Sequence, residues 1–170
     1  MKDKTKDGKK KERALEKFPM IRSFLEYSNS LKDKTGVVTP VQREMIYTVV
    51  SRQNGCVFCT IGHGRKLFEL TGDKKLYEDV VKDFRQAEID PGDMLMLEYA
   101  TRLNRKPETL KREQLAPLHE AGFSQEAILE IITHAAVMSA QNRIRTGLGY
   151  QISPGMQREA ERLGLSESSI

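Results

Sequence analysis

Apolar positions recur at spacings of three and four along most of this chain, and no run alternates long enough to read as a strand. A first helical segment, residues 14–33, is interrupted by Pro19 and resumes through Ile21, Phe24, Leu25 and Ser28. After the stop at Gly36, Thr39 and Pro40 supply an N-cap and a first helical position for a helix over about 40–53. Its apolar set is Val41, Met45, Ile46, Val49 and Val50, and Asn54-Gly55 ends it. The next helix is expected from about Cys56 to Leu70, stopping at Gly72. An amphipathic segment follows over 73–88, carrying Leu76, Val80, Val81 and Phe84. Pro91 opens a helix over 93–103, and a short helix over 112–121 ends at Gly122. Ser124 caps a longer one, with Glu126 in its first turn and Ile128, Ile131, Ile132, Ala135 and Met138 toward the core. Gly147, Gly149 and Pro154-Gly155 break the chain before a last stretch over 156–163. The pattern predicts an all-α fold, in a single domain over 14–170, with no internal repeat.

Charge changes this picture only at one end. The chain of 170 residues carries a formal +4, and residues 1–13 hold seven Lys/Arg against three Asp/Glu, which is the whole excess. The rest is balanced, so the basicity belongs to a polar tail expected to be disordered or loosely helical. With no aromatic residue interleaved, that tail points to no specific nucleic-acid contact. No stretch approaches the eighteen or so apolar residues of a membrane span, and no apolar core follows the N-terminal charges as in a secretory signal. The expected location is cytoplasmic.

The candidate chemistry lies in the segment NGCVFCTIGH, residues 54–63, which holds both of the chain's cysteines and one of its three histidines. In a reducing compartment a lone C-x-x-C points to catalysis or metal binding rather than to a structural disulfide. On a helix, Cys56, Cys59 and His63 fall within an arc of roughly 60°, with Phe58 facing the other way toward the core. Cys56 is expected in the first turn, where unpaired N–H groups favour a thiolate, and His63 lies one turn beyond Cys59, able to take its proton. On the preceding helix Glu44, Thr48 and Ser51 form a polar stripe opposite the apolar set. If Asn54-Gly55 reverses the chain, Glu44 lies about 14 Å below the turn and His63 about 11 Å up the second helix, at the same level. A carboxylate–imidazole–dithiol chain across two antiparallel helices is the result. The helix N-terminus favours the thiolate on Cys56 and the histidine favours it on Cys59, so geometry leaves open which thiol attacks.

Glu44, eleven intervening residues, the Cys56–Cys59 pair, three more and then His63 resemble the motif of the AhpD-like alkylhydroperoxidases, within the carboxymuconolactone decarboxylase superfamily. REMIYTVVSRQNGCVFC is similar to that family's words around the pair, and DMLMLEYATRLNRKP, HEAGFSQEAILEI and AQNRIRTGLGY resemble its peroxidase-related branch. The resemblance covers about residues 35–150. It implies an all-α fold assembled as a trimer or hexamer, and a thiol-dependent peroxidase or disulfide oxidoreductase that reduces hydroperoxides and is itself reduced by an external dithiol. It implies Cys59 as the attacking thiol, Cys56 as its resolver, Glu44 with His63 as proton relay, and neither metal nor organic cofactor. Phe58 stands where better-known peroxidase members can carry a histidine.

Two other readings compete. A carboxymuconolactone decarboxylase-like lyase would need acid–base groups and an anion site but no redox pair. A zinc-binding helical interaction protein could use the two thiolates, His63 and Glu44 as four ligands. His134, between Ile131 and Met138, is read as a satisfied core or subunit-contact histidine, His119 as solvated, and Asn142-Arg143 as outside the site.

Overall fold

A computed structural model describes residues 18–31, 36–149 and 151–165, and among them it shows eight α-helices and no strand. The basic stretch 1–13 and the first residues of the segment expected over 14–33 lie outside these. Helix α1 spans Pro19–Ser30, α2 Pro40–Gln53, α3 Val57–Thr71, α4 Lys74–Asp83, α5 Pro91–Arg105, α6 Ala116–Glu120, α7 Gln125–Gly147 and α8 Pro154–Arg162.

The expected caps are in place. The Thr39 hydroxyl accepts from the N–H of Gln42 at 3.2 Å, and the Gln42 side-chain oxygen accepts from the N–H of Thr39 at 2.9 Å, closing a capping box ahead of Pro40. Ser124 accepts from the N–H of Ala127, starting α7. Two segments are more broken than expected. Residues 73–88 form α4 and then a separate turn of 3₁₀ helix at Phe84–Gln86, because the Asp83 carboxylate accepts from the N–H of Arg85 and starts a new cap there. Residues 112–121 divide likewise into a 3₁₀ turn, Arg112–Leu115, and the short α6, whose second residue is Pro117. Gly147 lies inside the last turn of α7, and the chain reverses only at Gly149, where φ is +63°.

Helix α2 is the centre of the molecule, packed by α3, α4, α5 and α7. Met45, Ile46, Val49 and Val50 join Leu67, Val80, Met96, Leu97, Ile131, Ala135 and Met138 in the main core. Each of these side chains larger than alanine contributes about 1.5–3 kcal/mol by leaving water. The polar stripe of α2 is buried too: Glu44, Thr48 and Ser51 are 3 %, 0 % and 0 % exposed. A helix enclosed on every side must partner its polar groups inside, and these partners build the site.

Candidate functional site

Asn54 closes α2 and Gly55, at φ +67°, reverses the chain, a conformation that a side chain would resist. The N–H of Cys56 donates to the carbonyl of Ser51 at 3.0 Å, which folds α3 back along α2. Cys56 is the N-cap of α3, one residue before the helix proper, rather than within its first turn.

Glu44 and His63 meet as their spacing predicted, with Nδ1 of His63 2.7 Å from Oε2 of Glu44. Burial alone would push the Glu44 carboxyl up, but the His63 bond, with Lys66 and Arg43 nearby, holds it below its usual value. Glu44 is therefore a carboxylate at neutral pH, and its bond fixes which imidazole nitrogen faces it. Tyr47 lies edge-on to His63, ring centroids 4.9 Å apart, and its hydroxyl is 2.9 Å from Nδ1 of His134. His134 is buried and partnered, as a core histidine must be, and burial together with Arg43 lowers its pKa to about 4. His119 is exposed, and its ring approaches only the carbonyl of Phe123.

The two cysteines are reduced and buried, with their sulfurs 2.8 Å apart. At this separation each thiol feels the charge of the other, so the two titrate as a coupled pair. The shared hydrogen bond lowers Cys56 to about 7, with help from the backbone N–H of Cys59, Arg145 and Asn142. The same bond, with burial and the neighbouring charge, pushes Cys59 well above the ordinary thiol range.

Phe58 does not enter the core. It is half-buried, and the guanidinium of Arg145 lies 4.9 Å from its ring centroid. Arg145 and Asn142 come from α7, one turn apart, and sequence reasoning left both out of the site. Asn142 is 1 % exposed and acts on both sulfurs. Its Nδ2 donates to the Ser51 hydroxyl at 3.1 Å, and its Oδ1 accepts from Nδ2 of Asn54 at 3.0 Å. Asn104 extends this amide chain to Asn54 and Gln53, each at 3.0 Å. Arg143, by contrast, is exposed and turns back on Ser139. The available signal was the word AQNRIRTGLGY, whose Asn142 and Arg145 share a helical face.

Among the described residues no group of three or more His, Cys, Asp or Glu side chains is placed to hold a metal ion. Glu44 and His63 bond to each other rather than converging with the two sulfurs on one point. Nor is any described helix long and apolar enough to cross a membrane.

Known proteins agree with this architecture. The model of the carboxymuconolactone decarboxylase family matches residues 20–92, which contain all four predicted site residues and begin earlier than the resemblance over 35–150. No curated protein matches the sequence. Among solved structures, an uncharacterized peroxidase-related protein from Silicibacter sp. TM1040 is 26 % identical, with a TM-score of 0.75 over 80 % of this chain and 71 % of that one. An alkylhydroperoxidase AhpD core, a peroxidase-related protein from Ralstonia eutropha JMP134, is 25 % identical, with a TM-score of 0.76 over 81 % and 73 %. The debrominase Bmp8, solved with 2,3,4-tribromopyrrole, shares the fold at 16 % identity and a TM-score of 0.71, over 84 % of this chain and 75 % of that one. Across the α2–α3 hairpin the chain is similar to the carboxymuconolactone decarboxylase family, and its helical fold is the AhpD-like fold of peroxidase-related proteins.

Proposed function

We propose that this protein is a thiol-dependent peroxidase or disulfide oxidoreductase that reduces hydroperoxides through Cys56 and Cys59. The observation that carries the reading is one continuous hairpin holding two reduced sulfurs 2.8 Å apart and, a turn away, a carboxylate–imidazole pair at 2.7 Å. One thiolate attacks the terminal peroxide oxygen, breaking the O–O bond, and becomes a sulfenic acid while an alkoxide leaves. The other sulfur displaces hydroxide from the sulfenic acid and forms the disulfide. His63, oriented by Glu44, moves protons through Nε2 between the thiols and the leaving oxygens. An external dithiol returns the pair to the reduced state by exchange. The chemistry needs no metal and no organic cofactor, and the assembly proposed with it is a homotrimer or homohexamer, as in the family it resembles.

The test is a thiol count with intact mass on reduced, metal-free protein, before and after one equivalent of tert-butyl hydroperoxide. Loss of both thiols with about 2 Da of mass is expected from disulfide formation. In Glu44→Gln the same oxidation should slow by about tenfold or more, short of the roughly hundredfold at which the full contribution of a positioned acid–base begins, because His63 itself remains. Thiols intact after minutes would withdraw the peroxidase reading and bring forward the decarboxylase-like one. Metal analysis of protein purified without chelator separates out the zinc reading.

A further inference from the structure

We infer that the cleft between α5 and the chain that follows it, over 106–118, is a second ligand site, which takes a small organic anion with an apolar body. It is separate from the cysteine pair, so the inference goes beyond the peroxidase reading and does not rest on it.

The cleft has a volume of about 510 Å³, the size of pocket that encloses a small molecule. Part of its lining is apolar. Leu95 and Tyr99 lie one turn apart on α5, and Leu110, Pro117 and Leu118 supply the other side from the chain that follows. Leu118 is 2 % exposed, so this lining reaches the interior. Four cations line the same cleft. Arg102 and Arg105 come from one face of α5, Lys106 from its C-cap, and Arg85 from the 3₁₀ turn Phe84–Gln86. Against them stands one carboxylate, Glu98. Beyond residue 13 the chain is balanced in charge, so the positive excess here is local.

Pairing sets these cations apart. On α4, Lys74 and Lys82 pair with Glu78, and Lys75 with Asp79 and Glu88. In the cleft Arg85 has such a partner, Asp83 at 3.4 Å. Among the described residues no carboxylate pairs with Arg102, Arg105 or Lys106. Arg102 is nonetheless held in place. Its Nε donates to the Thr109 hydroxyl at 3.4 Å, and that hydroxyl donates to the Lys106 carbonyl at 2.7 Å, tying the guanidinium to the 3₁₀ turn Pro107–Thr109. Basic residues in the last turn of a helix offset its dipole, which gives Arg102 and Arg105 one reason to be there. It gives none for Arg85, which belongs to another element, nor for the apolar lining that the cations share.

The two kinds of lining select the occupant together. A guanidinium fork matches a carboxylate in charge and shape, and the apolar side chains favour a body that leaves water on binding. An inorganic anion would leave the apolar lining unused, and a neutral apolar molecule would leave the cations unused. An aromatic or aliphatic carboxylate uses both. The cleft meets the hairpin at one residue, Gln53, the last of α2. Its Oε1 accepts from Nδ2 of Asn104, which also donates to Asn54 in the turn before Cys56. Neither Cys56 nor Cys59 lines the cleft, so the ligand lies apart from the sulfurs.

The experiment is a calorimetric titration of the reduced full chain with naphthoate. Naphthalenemethanol serves as the neutral body and inorganic phosphate as the charge alone. The expected result is one saturable naphthoate site with a Kd below about 1 mM, at least about tenfold tighter than either control. Arg102→Gln combined with Arg105→Gln should weaken it by about tenfold or more, the effect of losing charge-assisted hydrogen bonds. Both arginines are exposed, so the double variant should keep wild-type helicity, and the two control ligands test the site on the wild-type chain regardless. Arg158→Gln, exposed on α8 and outside the cleft, should leave the Kd unchanged. No saturable naphthoate binding up to about 1 mM would overturn the inference, as would either control ligand binding as tightly as naphthoate. A double variant with the wild-type Kd, or an Arg158→Gln chain weakened as much as the double variant, would overturn it too. The peroxidase reading is decided separately, by the thiol count.

Discussion

Tyr47 joins two histidines of different kinds, lying against His63 at the site and hydrogen-bonded to His134 in the core. His134 carries a pH signature of its own. Its ordinary value is 6.5 and burial lowers it to about 4, so between these values the unfolded chain takes up a proton that the folded chain refuses. The stability it supplies is complete above pH 6.5 and is lost as pH falls toward 4, by up to about 3 kcal/mol. Glu44 has a similar sign but a lower window: its folded value lies below 4.5, so its contribution is present above 4.5 and lost as pH falls below that. Urea unfolding at pH 7, 5.5 and 4.5 should show a steady fall, and His134→Gln should flatten it; a wild-type curve unchanged over that range would remove His134 as the cause. At this scale Glu44, Cys56, Cys59 and His63 were legible because two helices joined by a two-residue turn leave little freedom in how their side chains align. Asn142 and Arg145 were not, because they reach the hairpin from more than eighty residues away and no local period reports a contact at that separation.

At the scale of elements, the helix starts were read correctly where a side-chain cap and a proline coincide, as at Thr39-Pro40. They were read too simply where a carboxylate could open a second cap, as at Asp83. Periodicity showed that α2 has a polar stripe but not how fully it is covered: the stripe is enclosed and forms the wall of the candidate site. The same limit applies to Phe58, whose direction on α3 was inferred but whose partner, Arg145, belongs to another helix. The α3–α4 contact exposes a more local rule. Gly64 has an ordinary helical backbone, yet a Cβ there would lie 2.6 Å from the Tyr77 ring and 2.8 Å from Val81. The ring is pinned by its hydroxyl, which donates to Glu159 at 2.5 Å, so it has little room to move away. Gly64→Ala should therefore cost about 1–3 kcal/mol despite alanine's better helix propensity, read as a lower urea midpoint. Gly62→Ala, where nothing lies within 4 Å, is the control and should be neutral or slightly stabilising.

The whole molecule is assembled around two cores rather than one. The larger joins α2, α5 and α7 and carries the hairpin, while the smaller gathers Ile61, Tyr77, Val81, Ala160, Leu163 and Leu165 where α8 closes over α3 and α4. This second core is fastened by polar groups. Glu159 of α8 accepts from Tyr77 and from the guanidinium of Arg65, and Arg162 donates to Glu78 at 2.6 Å. Burial and then the Glu159 bond raise the Tyr77 hydroxyl above its usual range, so it remains a donor at any ordinary pH. Removing the carboxylate leaves a partly buried phenol without its acceptor, and Glu159→Ala should lower stability by about 1–3 kcal/mol. The fastening lies beyond His63 along α3, away from the cysteine pair at the start of that helix. Glu159→Ala should therefore leave the pH midpoint of Cys56 unchanged while the urea midpoint falls. If the Cys56 midpoint moves with stability, the two cores are one cooperative unit, and the site depends on the packing of α8 as much as on the residues that touch the sulfurs.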